Sequence, residues 1–244
     1  MRIDTEKCRG CGLCVPFCPA NAITLADRKA RIDEDKCLEC GTCLRKGVVR
    51  CPTGAFYEPP GVYERPRSIR KFLSDPATNH KETGIPGRGT EEVKTNDVTG
   101  RVKRGFVGIG LEVGRPALGA DLTDIEKLTM SLAKSGLNIH WEEDNPVTHL
   151  FKDPATGTLL DECKDQRVVS AIIEFALPVN ELRPCLDTIK AASKEISTVF
   201  SLFVISRMDE DGNTPLVSEL EAWGYDVRPN SKVNLGLGRP LREE

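Results

Sequence analysis

The chain has 244 residues, 39% hydrophobic and 29% charged, the composition of an ordinary globular protein of one or two domains. A net charge of −3 argues against nucleic acid as the main partner, and no run of about 20 apolar residues is present to span a membrane. Met1 to Thr5 runs straight into the first motif without an apolar signal segment, so a cytoplasmic protein is expected.

Eight of the ten cysteines lie within residues 8–51; Cys163 and Cys185 stand apart and read as free thiols. In a reducing compartment such density points to metal rather than disulfides. The first run is Cys8-x2-Cys11-x2-Cys14-x3-Cys18-Pro19, and the second is Cys37-x2-Cys40-x2-Cys43-x7-Cys51-Pro52. CRGCGLC overlays CLECGTC, and CPANAI overlays CPTGAF, an internal repeat offset by 29 residues from Cys8 to Cys37. Three cysteines at three-residue intervals can wrap one iron–sulfur cubane, with Gly12 and Gly41 letting the backbone approach. In runs of this kind the fourth cysteine serves the other cluster. Cys8, Cys11, Cys14 and Cys51 are therefore expected to bind cluster I, and Cys37, Cys40, Cys43 and Cys18 cluster II. Paired zinc knuckles match this pattern poorly. Val15, Phe17, Ile23, Ile32, Leu38, Leu44 and Phe56 are expected to keep water from the two cofactors.

These motifs make residues 1–58 resemble a bacterial-type ferredoxin with two [4Fe-4S] clusters. The resemblance implies low-potential, one-electron transfer, with short strands at 23–25 and 31–33 and residues 2–4 lying near 56–58. The second run departs from the family pattern by carrying seven residues, Leu44 to Arg50, where the first has three. Basic residues outnumber acidic ones in this segment. Arg45, Lys46 and Arg50, in or beside the insertion, form a candidate docking patch for an acidic partner.

Residues 59–104 change character. Pro59, Pro60, Pro66, Pro76 and Pro86, with Gly61, Gly84, Gly87 and Gly89, interrupt any period, so the stretch reads as a linker or docking segment. Within it, Gly87 to Arg101 is rich in hydrogen-bonding side chains and is a candidate binding loop.

From residue 105 to 230 the hydrophobic pattern returns. It predicts a strand over 105–113, then a helix over 121–135 with capping-box spacing at Thr123 and Glu126. A strand at 137–141, a hairpin-like turn at 153–157 and a strand at 168–177 follow. A helix capped by Asn180 runs to about Ser197, and a strand occupies 199–206. Thr214 and Pro215 open a last short helix closed by Gly224 and followed by Tyr225 to Arg228. The order βαββαβ is that of the ferredoxin-like plait, and it resembles small-molecule-sensing plaits of the ACT kind. The fold class is thus α+β: a two-cluster ferredoxin domain, a plait domain and a tail at 231–244.

Little in this half suggests catalysis. Gly108-x-Gly110 lies inside a strand and lacks a third glycine, and Asp209, Asp211 and Gly212 read as a turn. His140 and His149 read as structural or solvated, while Arg88, Arg101 and Arg104 could reach an anionic substrate. The expected function is electron transfer, as a non-catalytic subunit of a larger anaerobic oxidoreductase. A redox- or ligand-responsive regulator is the alternative.

Overall fold

The computed structural model describes residues 1–45, 47–84, 86–88, 102–116 and 118–229. Lys46, Gly89 to Arg101 and the tail at 231–244 lie outside the described residues, and with them most of the candidate binding loop. The architecture is mixed α+β. Among the described residues no helix is long and apolar enough to cross a membrane.

The N-terminal segment is built on two small antiparallel ribbons. Strand β1 (Arg2–Ile3) pairs with β4 (Phe56–Tyr57), and β2 (Ile23–Ala26) with β3 (Lys29–Ile32). The β2–β3 hairpin turns through Asp27 and Arg28, both at positive φ (52° and 59°).

The middle segment holds a helix that the pattern reading missed. After a 3-10 turn at Pro60–Tyr63, helix α1 (Arg67–Ser74) follows Pro66 directly. Ile69, Phe72 and Leu73 sit at i, i+3 and i+4, the signal of one helical face, but Ser68, Arg70, Lys71 and Ser74 are buried as well. The helix therefore lies between two bodies of structure and is covered on both sides.

The C-terminal unit centres on a four-stranded antiparallel sheet. Its strands are β5 (Phe106–Val113), β7 (His140–Trp141), β11 (Ala171–Pro178) and β12 (Phe200–Ile205), in the spatial order β12-β5-β11-β7. Helices α2 (Leu122–Ala133) and α3 (Leu182–Ala192) pack together and bury Leu122, Ile125, Leu128, Leu182, Leu186 and Ile189 against Ile109, Leu111, Ile173 and Leu177. Each fully buried side chain of this size contributes about 1.5–3 kcal/mol. On the opposite face the ring of Phe203 lies where a Cβ on Gly110 would be, so any larger residue at this strand position would displace that ring.

Smaller elements complete the unit: β6 (Ala120–Asp121) pairs with β10 (Arg167–Val168), β8 (Phe151–Asp153) with β9 (Thr158–Leu159), and α4 (Pro215–Ala222) closes the described chain. The expected strand at 168–177 is thus two pieces, and the expected strand at 137–141 pairs only at its last two residues. The capping box is not made. The Glu126 carboxylate instead accepts the Leu159 amide at 2.9 Å, tying α2 to the β8–β9 ribbon. Nor does Asn180 cap α3, which begins after a 3-10 turn at Val179–Glu181.

Asp124 of α2 fastens the loop before β12. Its carboxylate accepts the Ser197 amide (2.9 Å), the Ser197 hydroxyl (2.6 Å) and the Lys127 ammonium (2.9 Å). Burial pushes this carboxyl's pKa up, but the bonds from Ser197 and Lys127 outweigh it and hold the group below its ordinary value. The stabilisation is present above the ordinary carboxylate range and is lost as pH falls through the depressed folded value. Asp124→Asn should cost about 1–3 kcal/mol at neutral pH in urea unfolding. The gap to wild type should narrow as pH falls below the ordinary carboxylate range and through the depressed folded value.

Candidate functional site

The two halves of the cysteine repeat are built by the same local bonds. Asp4 accepts the Cys8 amide through its carbonyl (3.0 Å) and the Glu6 and Lys7 amides through its side chain (3.0 and 3.2 Å). Asp33 does the same for Cys37 (3.0 Å), Asp35 (3.1 Å) and Lys36 (3.3 Å). Each aspartate then donates its own amide across to the other half, Asp4 to Ala55 and Asp33 to Ala22, both at 2.8 Å. These side-chain turns set the direction in which each cysteine loop departs. Within the loops, Gly12 and Gly41 take matching left-handed conformations, φ 74° and 70°.

Cys8, Cys11, Cys14 and Cys51 line one cavity that opens to solvent, and Cys18 is not among its walls. Cys37, Cys43 and Cys18 share a second apolar group with Met1 and Ala22, and Cys40 lies close enough to raise the Cys43 pKa. Cys18 and Cys43 pack against both groups and so stand between the two sites. Backbone amides point at sulfur in each: Ala30 to Cys8 (3.3 Å), Ala55 to Cys51 (3.4 Å) and Ala22 to Cys18 (3.2 Å). Burial, then the neighbouring Cys37 and Cys40, pushes the Cys43 thiol up to about 12. Burial raises the Cys51 thiol too, but the amide of Ala55 and the Thr53 turn outweigh it and leave the group below its ordinary value. Sulfur donors crowded in apolar surroundings, each half supplied with N–H donors, suit a multi-iron cofactor whose positive charge offsets the thiolates. Among the described residues, no group of three or more His, Cys, Asp or Glu is arranged to hold a single metal ion.

Residues 1–24 match the family model of the 4Fe-4S binding domain. The match takes in Cys8, Cys11, Cys14 and Cys18, the whole of the first cysteine run. No curated protein and no solved structure matches the chain.

Beyond the shared frame the two sites differ. Glu39 stands where the first 4Fe-4S run has Gly10, and it keeps the left-handed backbone (φ 55°) that costs a side chain about 1–2 kcal/mol. Its carboxylate is fully buried and pairs with the Met1 ammonium and with Arg67 of α1 (2.6 Å). Burial acts to raise this carboxyl's pKa, and the two cations outweigh it and hold the group low. One turn on, Arg70 donates to the carbonyls of Glu34 (3.2 Å), Asp35 (2.8 Å) and Cys37 (3.0 Å), and on its other side to Asp165 O (2.7 Å) and Gln166 Oε1 (2.8 Å). Lys71, 2% exposed, bridges Glu58 and Asp75 at 2.5 Å each. Asp75 in turn occupies the space a Cβ on Gly41 would fill and holds Arg45, whose other nitrogen donates to Cys40 O (2.9 Å). The second loop is thus clamped by α1 at Cys37, Glu39, Cys40 and Gly41.

Of the residues expected to keep water out, Ile23 and Leu38 are buried and Phe17 is 47% exposed. Arg45 is spent on Asp75 and the Cys40 carbonyl, so of the expected docking patch only Arg50 remains exposed, Lys46 lying outside the described residues. Arg67, Arg70, Asp75 and Glu39 belong to no motif in the sequence, and only their contacts in space reveal their part in the site.

The remaining candidates have local roles. Arg88 pairs with Glu112 (2.7 Å) and donates to Ser170 (2.8 Å), and Arg101 lies outside the described residues. His140 is exposed and stands edge-on to Phe106, while His149 lines a cavity beside His80 and Arg65. Asp209 closes a turn through the amides of Asp211 and Asn213. Cys163 and Cys185 are buried free thiols, each raised to about 12 by burial.

Arg70→Met should destabilise the chain by about 2–4 kcal/mol, because several buried carbonyls lose their donor at once. Arg70→Lys should recover only part of this, since an ammonium lacks the planar fork. Hydrogen exchange should show protection lost together around residues 34–38 and 163–167. Loss confined to one of these stretches would argue against the clamp.

Proposed function

We propose that the chain carries two [4Fe-4S] clusters and transfers single electrons to or from a larger oxidoreductase, without a reaction of its own. The ligands are Cys8, Cys11, Cys14 and Cys51 at site I, and Cys37, Cys40, Cys43 and Cys18 at site II. The observation that carries this reading is the position of Cys51. It comes from the far end of the second run, yet it lines the cavity with Cys8, Cys11 and Cys14, from which Cys18 is absent. The family match to residues 1–24 supports cluster binding, and the repeated Asp4 and Asp33 turns support a second site like the first.

When bound, each cluster supplies a one-electron couple. The chain's residues do the rest. Ala22, Ala30 and Ala55 give N–H donors to sulfur, which favours the reduced, more negative state. Ile23, Leu38 and Val49 keep water from the interior of the segment.

We read residues 105–230 as a split βαββαβ plait, supported by its strand order: the last strand beside the first, then the third, then the second. It serves here as the body against which α1 is held.

Anaerobic reconstitution should give about eight irons per chain, and about four in each single ligand variant. The EPR spectrum of reduced Cys51→Ala should coincide with that of Cys11→Ala, and Cys18→Ala with Cys40→Ala. The opposite matching would overturn the crossed ligand sets. A chain that takes up no iron and sulfide would overturn the function.

A further inference from the structure

The two sites do not offer equal access to a partner. Site II is covered by the chain itself, and the cations around it are consumed internally: Arg67 by Glu39, Lys71 by Glu58 and Asp75, Arg45 by Asp75, and Arg70 by five acceptors. Site I is open. Cys11 is exposed, and beside it stand Leu13 (55% exposed) and Leu25 (48%), the Leu25 side chain lying 3.1 Å from where a Cβ on Gly12 would sit.

Three exposed arginines adjoin this face, one lining the cavity and two next to it along the chain or through the backbone. Arg9 follows Cys8, and Arg50 precedes Cys51. Arg28 stands at the tip of the β2–β3 hairpin, its carbonyl pressed against Gly10. All three are exposed, and none has an ion-pair partner among the described residues. Neighbouring Asp27 is already paired with Arg31 (3.2 Å). Arg28 holds a left-handed backbone at a turn position that favours glycine, so an uncompensated positive charge is kept there at a conformational cost.

We infer that this site-I face is the electron-exchange surface, and that it docks a redox protein whose cofactor lies beneath an apolar spot ringed by carboxylates. Leu13 and Leu25 supply the apolar centre, and Arg9, Arg28 and Arg50 the rim. This rests on the cluster assignment above and adds the sign and place of the contact. One electron passes between site I and the partner's cofactor, oxidising one and reducing the other by one, with no bond made or broken.

The test uses the iron-loaded full chain and an acidic flavodoxin as probe, with the dissociation constant measured by calorimetry at low ionic strength and the transfer rate by stopped flow. Charge reversal at Arg9→Glu, Arg28→Glu and Arg50→Glu together should weaken binding at least about 10-fold and slow transfer in step, with both effects fading at high salt. Arg28→Glu alone, remote from every proposed ligand in sequence, should give a smaller loss of the same kind. Lys134→Glu, Lys190→Glu and Lys194→Glu together make the same charge change on the C-terminal unit and should alter binding less than about twofold. Equal losses in both triple variants, or no loss in either, would overturn the inference, as would tighter binding of a basic cytochrome c than of the flavodoxin. A wild-type chain without iron would instead remove the cluster assignment, a result read from the metal analysis and separate from the binding constants.

Discussion

The guanidinium of Arg70 has five acceptors from two distant stretches of chain, and the arrangement of the N-terminal half follows from it. Three of those acceptors are the carbonyls that lead into the second cysteine run, and two belong to the turn before β10. Carbonyls in such a position are costly to bury without donors. A planar cation with donors on both sides satisfies them together, which fixes α1 between the cysteine repeat and the C-terminal sheet. The neighbouring pairs, Arg67 with Glu39 and Lys71 with Asp75, gain strength from the low dielectric that this packing creates.

The clamp also explains why a duplicated motif yields two unlike sites. The bonds that build each loop were kept in both halves, down to the aspartate turns and the left-handed glycines. The differences lie in what points outward. In the first half, Gly10 leaves room for the Arg28 carbonyl and the loop faces solvent. In the second, Glu39 turns a charge inward, and the inserted residues from Leu44 to Arg50 bring Arg45 to Asp75. One half is fitted for attachment and the other is left uncovered.

How much of this was legible in the sequence depends on how strongly each feature constrains residue type. The cysteine spacing recurs at a fixed offset, so the repeat could be read directly, and the two short ribbons followed from the resemblance it carries. The strands β5, β11 and β12 and the helices α2 and α3 follow periodic apolar faces and were visible within a few residues. Helix α1 was hidden because four of its seven buried residues are Ser68, Arg70, Lys71 and Ser74, which a hydrophobic pattern scores as exposed. Glu39 was hidden for the same reason: a buried acid looks like any other acid until its cations are found in space. The cap positions failed because a side chain such as Glu126 had a better acceptor role across the structure, at the Leu159 amide.

The inward-facing carboxylate of Glu39 bears on how portable the cysteine segment is. Cut after residue 58, the segment would keep all eight cysteines yet lose Arg67, and with it the side-chain cation that faces a fully buried acid on a strained backbone. It would also shed the donor for the Cys37 carbonyl. A graft onto another protein, or a recombination event joining this segment to a different body, therefore has to carry α1 with it. The transferable unit of inheritance extends past the last cysteine to Asp75, and its boundary is drawn by charge rather than by the metal-binding motif.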